Sequence, residues 1–182
     1  MAKGKRTNIE FDRHQDIVTF EGTATVHHFK TPDSFIHSVK FINIHGVLVV
    51  TGDFGNWIFC REFHPSKDGS VSDMYWIEKA QISSTQEPYR FDADTARKDI
   101  DELLSNQEDY EWSDEAREWL KELKSAAEGG RHEYFVTGWE HPGDVDMENI
   151  PSGKRTNYQL EAVFDAFDEI CRRMKERADA AH

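Results

Sequence analysis

Residues 49–64, VVTGDFGNWIFCREFH, bring an aspartate, an asparagine, a thiol and an imidazole into one short run, as Asp53, Asn56, Cys60 and His64. These are the side chains of metal ligands, general bases and activated nucleophiles. Upstream lie His27, His28, His37 and His45. Strands can carry such residues to one place, and three imidazoles around Asp53 would make a metal or general-base site. A metal- or nucleotide-binding hydrolase built this way would have its pocket beside the Gly52–Asn56 turn, with His37, Asp53, Asn56, Trp57 and His64 around it.

The spacings argue against most of these chemistries. Neither an HxH pair nor an HExxH helix occurs. His37-Ser38-Val39 has the form of one of the two His-x-Ser/Thr pairs used to cleave phosphodiesters, but His45-Gly46-Val47 lacks the second hydroxyl. Two-metal phosphoesterases use Gly-Asp and Gly-Asn pieces on separate strand ends, with a histidine after the asparagine to bridge the metals. Here Gly52-Asp53 and Gly55-Asn56 fall within five residues and Trp57 follows. In one continuous strand Cys60 and His64 would share a face yet stand about 13 Å apart, too far for proton transfer. Cys60 is therefore expected to be a buried small hydrophobe. Walker, GxGxxG, GxSxG and kinase motifs are missing as well. The expectation is of strand-end and surface histidines, with no catalytic set, no metal and no cofactor.

What remains is charge. The chain carries a formal net charge of -13, which repels nucleic acid and anionic membrane and favours basic partners. Lys40 and Arg61 are the only bases in the central strand segments, so sequence-specific nucleic-acid binding is disfavoured. Residues 92–128 hold thirteen acids against five bases, a net of -8. Asp99, Asp101, Glu102, Glu108, Asp109, Glu111, Asp114, Glu115 and Glu118 are the candidate docking face for a partner with a basic surface, a face that would imitate the phosphate array of nucleic acid. The plainer account is a set of solvated helix faces.

The elements that must position these residues change type midway. In the first half apolar residues alternate, as in half-buried strands. Val18, Phe20, Ala24 and Val26 form one face of a strand or strand pair that is broken near Gly22, where a bulge fits. Phe35, Val39 and Phe41 face one way with Ile36 and Ile42 opposite, after a turn at Thr31–Ser34. His45-Gly46 makes the next turn, and Val47–Thr51 reads as a strand buried on both faces. The two glycines of Gly52–Asn56 allow a tight connection, after which Trp57, Phe59, Arg61 and Phe63 alternate with Ile58, Cys60 and Glu62. The opening run is thus strand, turn, strand. Pro65–Ser70 is a loop, and Met74–Ile77 fits either an edge strand or the start of a helix.

The second half follows the helical period. One helix runs from Asp94 through Ala96, Ile100, Leu103 and Leu104. Another has Ser113 as N-cap, Asp114 and Glu115 in its first turn, an apolar stripe of Ala116, Trp119, Leu120 and Leu123, and Gly129-Gly130 at its end. Tyr134–Trp139 returns as a strand that ends at His141-Pro142-Gly143. Thr156 and Gln159 have capping-box spacing ahead of a helix over 156–178 with Leu160, Val163, Phe164, Phe167, Ile170, Cys171 and Met174 on one face. GKRTN at 4–8 and again at 153–157 is a coincidence of five residues. The fold class is α+β, an N-terminal antiparallel sheet of about four to six strands packed against C-terminal helices.

A chain of 182 residues suits one domain with its own core. Within it 1–14 is expected to be flexible, 15–80 strand-rich and 92–128 acidic and helical. Two distant cysteines fit a reducing cytoplasm, MAKGKRTN lacks the apolar core of an export signal, and no apolar run is long enough to span a bilayer. VVTGDFGNWIF, the acidic helical region and NYQLEAVFDAFDEICRRM together resemble small accessory proteins of bacteriophages and prophages, over residues 47–63 and 157–174. That resemblance implies a setting, phage-encoded and in the host cytoplasm, rather than a mechanism, and it supplies no catalytic residues. Accessory phage genes often encode inhibitors, and an acidic domain without a catalytic motif suits an inhibitor of a host protein, anti-CRISPR or otherwise anti-defence. A structural role with oligomerisation through the last helix is a third reading, although packing on the sheet accounts better for that stripe.

Overall fold

The computed structural model describes residues 5–34, 36–69, 71–83, 87–105, 112–131, 142 and 153–181. The strands are β1 (Gln15–Glu21), β2 (Ala24–Lys30), β3 (Val39–Ile44), β4 (Val47–Gly52), β5 (Trp57–Phe59), β6 (Ala80–Ser83), β7 (Tyr89–Phe91) and β8 (Lys154–Thr156). The helices are α1 (Asp73–Lys79), α2 (Ala93–Ser105), α3 (Asp114–Glu128) and α4 (Tyr158–Asp179). An antiparallel six-stranded sheet runs β1 to β6 in chain order, and the helical half follows, an α+β arrangement. Contacts gather into two compact units, Met1–Pro88 with Thr156–His182 and Tyr89–Arg155. Phe35, Ser70, Glu108, Asp109, Glu111 and the expected strand Tyr134–Trp139 with His141 lie outside the described residues.

In the first unit, α4 covers one face of the sheet. Phe29, Val39, Phe41, Leu48, Val50, Trp57 and Phe59 project from the strands to meet Leu160, Val163, Phe164, Phe167 and Ile170 of the helix. Phe41 meets Phe167 edge-on with ring centroids 5.4 Å apart, an arrangement the ring quadrupoles favour. The ambiguous Met74–Ile77 segment is helical. Ser72 caps α1 by accepting the Tyr75 N–H, and Trp76 enters the core between Phe59, Phe63, Phe164 and Phe167.

Several expectations need correcting. Of the strand or strand pair broken near Gly22, the structure has the pair: Gly22-Thr23 is a two-residue hairpin turn with Gly22 at φ 64, in place of a bulge. Val18 and Phe20 therefore share a side with His27 and Thr25, opposite Ala24 and Val26. Both project past the helix-covered core and are exposed, Phe20 by 76%. Val47–Thr51 is covered on one face only, since Leu48 and Val50 are buried while Val47, Val49 and Thr51 are half-buried. The strand expected through Phe63 ends at Phe59, and Cys60, whose backbone N–H donates to the Lys79 carbonyl, turns outward and is exposed rather than buried. Asn157, not Thr156, caps α4, accepting the Gln159 N–H at 2.9 Å.

The segment before β1 is packed over its described part, in contrast to the flexibility its polar composition suggests. Ile9 and Phe11 join the core. Asp165, 6% exposed, accepts hydrogen bonds from the backbone N–H groups of Arg6 and Thr7 and from the Thr7 hydroxyl. The Arg6 guanidinium bridges Asp165, Asp168 and Asp73 at 3.0, 2.8 and 2.6 Å. A buried carboxylate persists only with such partners.

The second unit has its own small core. Ile100 of α2 packs with Trp112 and with Ala116, Trp119, Leu120 and Leu123 of α3. Ser113 caps α3 by accepting the Ala116 N–H, as its sequence position predicts. Asp92 does the same for α2 through the Thr95 N–H at 2.8 Å, which holds its carboxyl below the usual range.

Candidate functional site

The Gly52–Asn56 turn is braced against the segment that precedes β3. A Cβ on Gly52, at φ 142, would stand 2.2 Å from the Ser38 carbonyl oxygen, so only glycine allows this approach. The Asp53 N–H donates to that same oxygen at 3.0 Å, and the Ser38 N–H donates to Asp53 Oδ2 at 3.1 Å. His37 holds a left-handed φ of 60, and its ring stacks on Phe54 with centroids 5.8 Å apart. Asp53 thus closes a turn with its carboxylate, the local role of an aspartate beside glycine.

The five residues of the supposed pocket do not converge. His37 and Asp53 are neighbours across the Ser38 exchange. Asn56 is exposed, while Trp57 is 1% exposed and directs its indole N–H to the Phe54 carbonyl at 2.8 Å. His64 is elsewhere, 3.0 Å from Glu62, whose other oxygen accepts the Gly46 N–H at the opposite end of β3. That Gly46 bond, with His64 beside it, lowers the Glu62 pKa. The length of β3 separates His64 from Asp53 by roughly 20 Å. His27 pairs with Asp16 at 2.8 Å, and His28 bonds the Ser38 hydroxyl at 3.0 Å. Among the described residues no group of three His, Cys, Asp or Glu side chains is placed to hold a metal ion.

A histidine that the sequence patterns did not single out sits closer to a cavity. His14 and His37 help line a cleft of about 360 Å³ together with Glu10, Asp12, Arg13 and Ile36. His14 is 4% exposed, wedged between Phe11 and Phe29, with Nε2 3.2 Å from the His37 carbonyl oxygen. Burial lowers its pKa, and the charges of His37 and Arg173 add to the effect against the pull of the nearby His37 and Phe11 carbonyls. Burial thus favours the neutral form of the ring. Its surroundings, Ile9-Glu10-Phe11-Asp12-Arg13-His14, mix apolar and charged residues and do not mark it in the sequence.

The acidic helices are assembled as the sequence suggests, yet much of their charge is matched. Asp101 receives Lys124 at 2.7 Å across the α2–α3 pair, Glu118 holds Lys121 at 2.6 Å, and Glu102 faces Lys98 at 3.6 Å. Asp94 pairs with Arg97, which also approaches Glu128 at 3.8 Å. These pairs are exposed and individually weak. Asp99 is half-buried, and burial with Glu102 nearby raises its pKa. Asp114 and Glu115 are exposed in the first turn of α3, where the positive end of the helix dipole stabilises their charge.

Comparison with protein-family models, with curated proteins and with solved structures finds no match for this chain. Among the described residues no helix is long and apolar enough to cross a membrane.

Proposed function

We propose that the protein is a non-enzymatic binding protein whose α2–α3 pair docks against the basic surface of another protein. The observation that carries this reading is the exposure of Asp101, Glu102, Asp114, Glu115 and Glu118 on helices that a dedicated core holds together. A rigid array of carboxylates raises association rates and selects cationic partners, with strong dependence on ionic strength. The overall charge of -13 weighs against nucleic acid as the partner. The resemblance over residues 47–63 and 157–174 adds a setting, a phage-encoded protein in a host cell, and inhibition of a host defence protein suits that setting.

The test replaces Asp99, Asp101, Glu102, Asp114, Glu115 and Glu118 by their amides and compares capture of host proteins at low salt. A partner held by the parent chain, released by salt and lost with the amides supports the proposal. Equal recovery by both chains rejects it. A second reading has one observation in its favour, the imidazoles of His14 and His37 side by side at the wall of the cleft. Under it the cleft takes a small polar molecule or nucleotide, and thermal-shift screening would find a ligand that stabilises the parent chain but not a His37→Ala variant.

A further inference from the structure

The outer edge of the six-stranded sheet is β1, and every residue of Gln15–Glu21 except Asp16 is exposed. Ile17 is 42% exposed, Val18 44% and Phe20 76%. Among the described residues no strand pairs with its free side. The strand has no proline, lysine or arginine, and its register with β2 is regular from end to end. Of the usual devices that keep an edge from pairing, proline, lysine and a bulge are missing, and the strand's two charges are Asp16, turned to the core face and paired with His27, and Glu21 at its end.

We propose that β1 pairs antiparallel with β1 of a second copy of this chain, around a twofold axis through Val18. A twofold axis perpendicular to the sheet keeps each face continuous, so even-numbered residues meet even and odd meet odd. Centring on Val18 uses the whole strand. Val18 then faces Val18, Asp16 faces Phe20, Ile17 faces Thr19 and Gln15 faces Glu21. A shift of two residues either way leaves only five of the seven residues of β1 paired.

The charges fit the same register. No carboxylate faces a carboxylate. Glu21 arrives opposite Gln15 of the second copy, whose β2 neighbour on the same face is Lys30. At two strand spacings, roughly 10 Å between backbones, two long side chains of opposite sign attract each other, and the symmetry supplies this pair at both ends. Phe20, the most exposed of the three apolar side chains, gains Val18 of the second copy as its diagonal neighbour. The edge is complementary to itself in backbone and charge, so a second copy is the occupant it fits best. A dimer would also present two acidic helix pairs to a binding partner.

Light scattering during gel filtration at rising concentration tests the proposal on the full chain. The expected result is a mass that climbs to twice the chain's 21.2 kDa. Val18→Lys places two ammonium groups face to face on the axis and halves that mass, with circular dichroism reporting that the fold is kept. Should that variant unfold, Glu21→Lys decides: it weakens the dimer at least tenfold, and adding Lys30→Glu restores it. A parent chain that stays monomeric up to about 1 mM overturns the inference. So does a dimer that both Val18→Lys and Glu21→Lys leave intact.

Discussion

Asp165 and Glu115 are the same kind of group put to opposite use. Asp165 lies 6% exposed under four donors from Arg6 and Thr7, and its charge never reaches solvent. Glu115 stands exposed on the first turn of α3, where the helix end stabilises it. In the first unit carboxylates tie the chain together, as Asp53 also does at its turn. In the second they coat a small helical core. A count of acids measures charge, but only the fold separates carboxylates that hold structure from those another molecule can meet.

Removing a tying carboxylate should have the largest effect. Asp165→Ala leaves the Arg6 and Thr7 N–H groups and part of the Arg6 charge without partners, and should cost about 3–5 kcal/mol in chemical denaturation. The same variant should open residues 5–14 to proteolysis. Gly52→Ala comes next, since a Cβ 2.2 Å from the Ser38 carbonyl oxygen forces the turn apart. The expected loss is about 1–3 kcal/mol, comparable to other strained backbone sites.

The third contrast is one of pH. Folding lowers the pKa of His14 from its ordinary 6.5, so the unfolded chain takes up the proton first. The contribution is complete above pH 6.5 and is lost as the pH falls toward the lowered native value. His14→Gln should make the acid-side decline in unfolding free energy shallower. Part of the decline should remain, because burial with Lys40 and Lys30 lowers the pKa of His28 in the same way. The smallest change in stability belongs to the exposed face: Asp114→Asn with Glu115→Gln should cost only ~0.3–1 kcal/mol per site through the helix dipole. Binding to a basic partner should nonetheless weaken and lose part of its salt dependence. An unchanged salt dependence would put these two residues outside the contact.

Local patterns carried much of the fold. The His45-Gly46 turn, the strand–turn–strand run around Gly52–Asn56, the Ser113 cap and the α4 stripe all depend on interactions within a few residues, and such interactions leave a mark in sequence. What escaped was tertiary. Alternation marks Val18 and Phe20 as strand residues but cannot say that their strand lies at an edge, beyond the reach of α4. Arg6 and Asp165 are paired across 159 positions, so the N-terminal segment read as loose. Cys60 faces outward because β5 stops one residue before it, an ending set by the contact with Lys79 and not by a breaker residue. Of the candidate site, the acidic helices were visible as composition and their internal ion pairs were not. His37 and Asp53 do meet, though as a brace for a turn, and the cleft beside His14 required the fold to exist at all.

The central claim is that the exposed carboxylates of α2 and α3 are what a partner contacts. It is tested most directly by titrating a captured host protein against the parent chain and the six-amide variant at several salt concentrations. The account predicts affinity that falls steeply with salt for the parent chain and is lost for the variant, with both chains equally folded. Equal affinity and equal salt dependence in the two would contradict it.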